Sequence, residues 1–177
     1  MKIWAAVSDA MAGWMLILGG ETGWRERFAL TWPGLATSVV IFLCCAFLAI
    51  AMASTAQGMP GISGIIDALL AQASWIVAVL ISVRLTAAIL KSNTPVIDML
   101  VPATYLLVGY LLVGAMLNLV APMALLVLTA SLGYPFYRLG RVVADWPAAN
   151  ALVFAVLTLV LLVGIPLAFY MLSNPAI

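Results

Sequence analysis

Residues 99–137 read MLVPATYLLVGYLLVGAMLNLVAPMALLVLTASLGYPFY, an apolar run without one charged side chain. A helix crosses the hydrocarbon of a bilayer with about 20 residues, so this run is close to two crossings long. Where it divides decides the fold. Asn118 and Pro122 offer the break, since a polar side chain and a proline together make a tight turn. Two spans follow, about 99–117 and 121–137. The charges beyond them test the division. Arg138 and Arg141 come directly after the run, and a single span would put them on the side opposite to every other basic residue.

Outward from this stretch, three further apolar runs read as spans at 34–56, 63–89 and 148–172. The first two are separated by the uncharged turn Gly58-Met59-Pro60-Gly61. Lys2, Arg25 and Arg27 precede the first span, Arg84 and Lys91 flank the connection after the second, and Arg138 and Arg141 follow the fourth. Short loops rich in Lys and Arg stay in the cytoplasm. The expectation is a single all-α domain over 1–177: a polytopic membrane helix bundle with five transmembrane helices. Its N-terminus is cytoplasmic, its C-terminus is outside (periplasmic), and its expected location is a bacterial inner membrane.

Composition points the same way. The chain is 67% hydrophobic and 7% charged, with a mean hydropathy of +1.25, where soluble domains carry roughly a quarter charged residues. A net charge of +1 provides no field for nucleic acid. Cys44 and Cys45 are adjacent within the first span. Neighbours on a helix point about 100° apart, so they read as apolar filler rather than a disulfide.

Residues 1–33 form a cytoplasmic-side interfacial segment. Trp4, Val7, Met11, Trp14 and Leu18 recur at spacings of three and four, one apolar stripe on an amphipathic helix. The uninterrupted apolar part, 10–18, is too short to span, which favours a helix lying in the interface. A cleaved signal peptide is the rival reading; the strongest apolar run begins only after Gly34, which weighs against it. After Gly19-Gly20, the aromatics Trp24, Phe28 and Trp32 interleave with Arg25, Glu26 and Arg27, an interfacial anchor pattern. Trp4, Val7, Met11, Trp14, Trp24, Phe28 and Trp32 are therefore the candidate partner or interface contacts.

Few residues offer chemistry. Asp67 is the candidate ion or proton site, because a carboxylate within a span is a functional hypothesis by default; the bland reading is a hydrated helix start. Gln72 and Asn118 are weaker, and Trp75 reads as a packing residue or a lipid or partner contact. Arg84, Asp98, Arg138, Arg141 and Asp145 form a candidate cytoplasmic ionic cluster tying the inner ends of spans together. The chain has no histidine, which removes histidine-dependent proteolysis, lipid phosphatase chemistry and histidine-ligated haem or zinc. It has neither a G-x-G-D stretch nor the paired aspartates of metal-dependent headgroup transfer, and no phosphate-cradling glycine loop. No catalytic, cofactor-binding or metal-binding residue is expected.

Gly164-Ile165-Pro166 is the best helix-break signal in a span, yet no charge accompanies it, and the halves show no internal repeat of the kind transporters carry. The function expected by exclusion is a non-catalytic accessory, structural or assembly subunit of a larger membrane complex. Its partners would be membrane lipids and other membrane subunits, with homo-oligomerisation left open. The alternatives are a small oligomeric transporter or channel, or a lipid- or membrane-organising protein.

A cytoplasmic amphipathic N-terminus, five spans and a short external C-terminus resemble the layout of Yip1-type membrane proteins. The opening Asp9-x-x-x-Gly13-x-x-x-x-Leu18-Gly19, followed by Phe28 and Gly34, is similar to small bacterial inner-membrane proteins. The Yip1-type resemblance implies membrane organisation or trafficking through protein partners, and it transfers no functional residue.

Overall fold

The computed structural model describes residues 3–58 and 61–173. Lys2, the Met59-Pro60 centre of the first expected turn and the C-terminal tail from Asn174 lie outside the described residues. These fold into seven α-helices: α1 (Ile3–Gly19), α2 (Trp32–Gln57), α3 (Ile62–Leu90), α4 (Val96–Val120), α5 (Ala124–Ser131), α6 (Gly133–Val142) and α7 (Ala148–Ser173), with a 3₁₀ turn at Trp24–Arg27. Four of them, α2, α3, α4 and α7, are long and apolar enough to cross a membrane. The chain is a membrane protein by helix length and composition.

Helix α4 is the most enclosed of the four. It packs against α2 and α3; α3 also packs along α7, and α6 covers another part of α7. The α6–α7 contact is close because α6 presents glycine. A Cβ at Gly140 would sit 3.1 Å from the Ala151 Cβ, and one at Gly133 would sit 3.1 Å from Leu159 Cδ1. Phe154 of α7 fills the space between, meeting the rings of Phe136 and Trp146 edge-on at 6.2 and 5.3 Å.

The helix break expected near Asn118–Pro122 is present, with α4 ending at Val120 and α5 beginning at Ala124, but the second half is not one helix. The stretch expected as a span at 121–137 is built from α5 and the start of α6, and the helical course continues to Val142. Pro135 is the physical reason. It has no N–H for the Ser131 carbonyl, and its ring crowds that position. The backbone tightens there: Leu132 donates to Thr129 O at 3.2 Å, a 3₁₀-type bond, and Phe136 N resumes the α pattern to Leu132 O at 3.1 Å. Leu132 keeps right-handed helical angles, φ −59° and ψ −22°, so the helix is stepped rather than turned back. Pro166, by contrast, lies inside α7 without ending it.

Helix ends follow local rules. Thr31 caps α2 by accepting the Gly34 N–H at 3.2 Å, and Pro33 stands in the first turn, where its missing N–H costs nothing. At the end of α1, Glu21 N–H bonds Leu16 O at 2.9 Å and Gly20 N–H bonds Ile17 O at 3.2 Å. Gly20 takes the left-handed φ of +77° that this paired C-terminal motif demands. Lys91 closes α3 in the same way, with φ +50°.

Helix α1 lies against α4 and α6, and its phase differs from the expected stripe. Its enclosed residues are Ala6, Ala10, Gly13, Trp14 and Ile17, while Trp4 and Met11 are exposed. The small residues at 6, 10 and 13 let neighbours come close, and Trp14 Nε1 donates to Pro102 O at 2.9 Å. A second correction concerns Trp24 and Phe28, expected at the interface. Both are buried. A Cβ at Gly13 would overlap the Phe28 ring, so that glycine is what admits the ring; Phe28 then reaches Tyr105, with centroids 6.2 Å apart. Trp32 stays exposed.

Candidate functional site

The anticipated ionic cluster does not assemble as one group. Among the described residues the ion pair is Arg25–Asp98, Nη1 to Oδ2 at 2.9 Å. Asp98 lies in the first turn of α4, where the helix N-terminus favours a negative charge. Its side chain is 9% exposed against 59% for Arg25. Oδ2 receives no well-directed hydrogen bond, so the contact is chiefly ionic. The Trp24 ring backs the guanidinium at 4.9 Å. The Trp24-Arg25 pair thus joins the interfacial segment to the base of α4. The sequence signal was present, an acid just inside a helix and an arginine beside a buried aromatic, but the partner could not be chosen.

The other members of the expected cluster bind elsewhere. Arg138 Nε donates to Ile17 O at 3.3 Å, capping the carbonyl end of α1. Arg141 Nη1 donates to Trp146 O at 2.9 Å, securing the α6–α7 turn. Arg84 and Asp145 are exposed, and Asp145 adopts φ +52° in that same turn. Two arginines expected to meet carboxylates thus donate to backbone carbonyls, one at the end of α1 and one in the α6–α7 turn.

Asp67 is exposed, two turns into α3 at most, which fits a hydrated helix start. No group of three His, Cys, Asp or Glu among the described residues is placed to hold a metal. The buried hydroxyls close upon their own helices: Ser38 on Leu35 O, Ser82 on Ala78 O, Thr104 on Leu100 O and Thr158 on Phe154 O, all at 2.7–2.8 Å. Such back-bonding satisfies a hydroxyl without linking it across the bundle.

Two cavities flank the stepped helix. The larger, about 550 Å³, lies between α1, α4 and the α5–α6 junction, within the roughly 300–1,000 Å³ typical of small-molecule sites. Val7, Met11, Trp14 and Leu18 of α1 line it, so most of the stripe read from the sequence faces this groove. Met11, Gly109, Leu112 and Val113 on its walls are exposed, which leaves it open to the surroundings. The smaller, about 180 Å³, lies among α3, α4, α5 and α7, with Trp75, Leu107 and Pro166 on its wall.

Tyr110 and Leu132 line both cavities. Tyr110 OH and Thr129 Oγ1 are 2.8 Å apart, and Trp75 meets the Tyr110 ring edge-on at 5.2 Å. The hydroxyl pair therefore stands at the partition between the two spaces. It joins α4 to α5 on the side of the step remote from Arg138 and Arg141. Trp75, by its sequence a packing residue or a lipid or partner contact, packs on Tyr110 here, and no sequence signal pairs residues 110 and 129.

These features define a class: a membrane-type helical bundle with a stepped helix and an apolar lateral groove. No protein-family model matches the chain, and neither a curated protein nor a solved structure is similar to it.

Proposed function

We propose that the protein is a non-catalytic accessory or assembly subunit of a larger membrane complex, seated in a bacterial inner membrane. The observation that carries this reading is the outer face of α7. Val153, Val156, Val160, Val163 and Leu167 are all exposed and recur at spacings of three, four, three and four. That is the seam by which one helix packs against another, and the remainder of the bundle leaves it uncovered. The branched valines lose little side-chain freedom when such a seam closes.

The topology proposed with it has five crossings. Helices α2, α3, α4 and α7 supply four, and α5 with α6 together supply the fifth. Ala124–Val142 covers roughly 28 Å at helical rise, close to the hydrocarbon thickness of about 30 Å. The connections after α1 and α3 and the end of α6 carry Arg25, Arg27, Lys91 and Arg141, whereas the connections after α2 and α4 carry no basic residue. This supports a cytoplasmic position for α1 and an external C-terminal end. The same order of elements underlies the Yip1-type resemblance, whose implied role, organising membranes through partners, agrees with an accessory subunit.

A photo-crosslinking residue placed at Val156 or Val160 in the native membrane tests the reading. The expected product is one discrete adduct with a different membrane protein, absent when the same residue replaces Leu70 on α3. Adducts with lipid alone would remove the accessory role, and an adduct with a second copy would replace it by a homo-oligomer.

A further inference from the structure

The groove beside α1 is independent of the α7 seam and asks for a different occupant. Its floor is the Val7–Met11–Trp14–Leu18 face of α1. At about 100° per residue, Asp9 projects from the opposite side of that helix, and it is exposed. Helix α1 thus has one face toward the groove and its acidic residue away from it, the arrangement of a helix lying in a membrane interface with its apolar side toward the hydrocarbon. The walls carry little polarity. Tyr110 already shares its hydroxyl with Thr129, and Ser131 spends its own on Leu128 O at 2.7 Å. Tyr105, the remaining phenol on the walls, is half-buried and packs its ring on Phe28, so the walls offer a polar occupant one hydroxyl.

One end of the groove differs. Leu18 lines it there, and the carbonyl of the preceding residue, Ile17, receives Arg138 Nε. Arg138 follows Pro135, another lining residue, by three positions on α6, so the two share a face of the helix. The guanidinium is half-buried and has no carboxylate within 4 Å among the described residues. Glu21, the nearest acid in sequence to this end, places its carboxylate beside Gly19 instead. The Nε–H is committed, Nη2 packs against Gly20, and the guanidinium stands beside the groove's end without lining its wall. An apolar groove with an arginine beside one end is complementary to a molecule with a hydrocarbon chain and an anionic head.

We propose that this groove binds one acyl chain of an anionic phospholipid taken from the bilayer, with the headgroup phosphate at Arg138. Gly109 makes the space. It lines the groove, it is exposed, and a Cβ built there meets nothing within 4 Å. A larger residue at 109 therefore obstructs the site without displacing the protein. Gly164 on α7 is equally open and lies outside the groove, which makes it the matched control.

The test is native mass spectrometry of the full chain, purified in mild detergent and supplied with dioleoyl phosphatidylglycerol, dioleoyl phosphatidylcholine or oleate. The expected result is a single phosphatidylglycerol per chain, retained over phosphatidylcholine by about ten-fold or more, as a formal charge contact at the head requires. Gly109→Phe should lower that occupancy by about ten-fold or more, and Gly164→Phe should leave it unchanged, with both variants unfolding at the wild-type temperature. Val113→Trp, on the same wall, serves if Gly109→Phe does not fold. Equal retention in the 109 and 164 variants would mean unspecific annular lipid and overturn the site. Equal retention of the two phospholipids would overturn the preference for an anionic head, wild-type occupancy in Arg138→Gln would overturn the phosphate contact at Arg138, and capture of oleate in preference to phosphatidylglycerol would overturn the phospholipid.

Discussion

Removing Arg25 should cost more stability than removing its partner Asp98, although both substitutions break the same 2.9 Å contact. The attraction at that distance is about 6 kcal/mol at an effective dielectric constant of 20 and about 1.4 kcal/mol in water. Most of it is offset by dehydrating the carboxylate, which is 9% exposed, whereas the guanidinium at 59% keeps much of its water. In Arg25→Gln the carboxylate stays buried with no counter-charge, a loss of about 2–3 kcal/mol. In Asp98→Asn the arginine rehydrates and keeps its Trp24 contact, and the loss is about 1–2 kcal/mol, including the helix N-terminal term. A double-mutant cycle read by denaturant titration in mixed micelles should give a coupling of about 1–2 kcal/mol. A coupling under about 0.3 kcal/mol, or a larger loss from Asp98→Asn than from Arg25→Gln, would refute the assignment of this pair as the tie between the interfacial segment and α4.

Two further outcomes follow from the packing. Gly13→Ala should destabilise by about 1–3 kcal/mol, because the new methyl overlaps the Phe28 ring; quenching of buried tryptophan emission would report the displaced 24–28 segment. Asp67→Asn should change stability by less than about 0.5 kcal/mol and leave growth of cells relying on the protein unaltered, since the carboxylate is exposed near the start of α3. A loss of growth with normal membrane insertion would reinstate Asp67 as an ion site.

How far the fold could be read depended on how local each determinant is. The long helices were legible because span length and apolarity are summed over many residues, and the Asn118–Pro122 break was legible because a charge pattern constrained it independently. The step at Leu132 was missed although Gly133 and Pro135 are visible in the sequence: hydropathy ignores which carbonyl loses its donor. For α1, the spacing of Val7, Met11, Trp14 and Leu18 gave a correct face and an incomplete account of it. That face turns to a groove, while the core contact runs through Ala6, Ala10 and Gly13, residues whose small size carries little hydropathic signal. Trp24 and Phe28 were assigned to the interface because aromatic-basic mixtures belong there, and the absence of a side chain at Gly13 reversed it. The groove itself is a property of three elements distant in sequence, so nothing local announces it.

The stepped helix bears on transport as well as on lipid. A discontinuous helix facing two cavities is the shape that transporters use, and there the freed carbonyls and helix ends coordinate the cargo. Here the partition between the cavities is Tyr110 with Thr129, and Thr129 Oγ1 donates to Leu125 O at 2.8 Å. Ser82, Thr104 and Thr158 each bond a carbonyl of their own helix. A hydrocarbon chain needs width and apolar walls, and the larger cavity beside the step supplies both. The step meets these requirements of a lipid-binding groove, with α1 lying across its base and Arg138 beside its end.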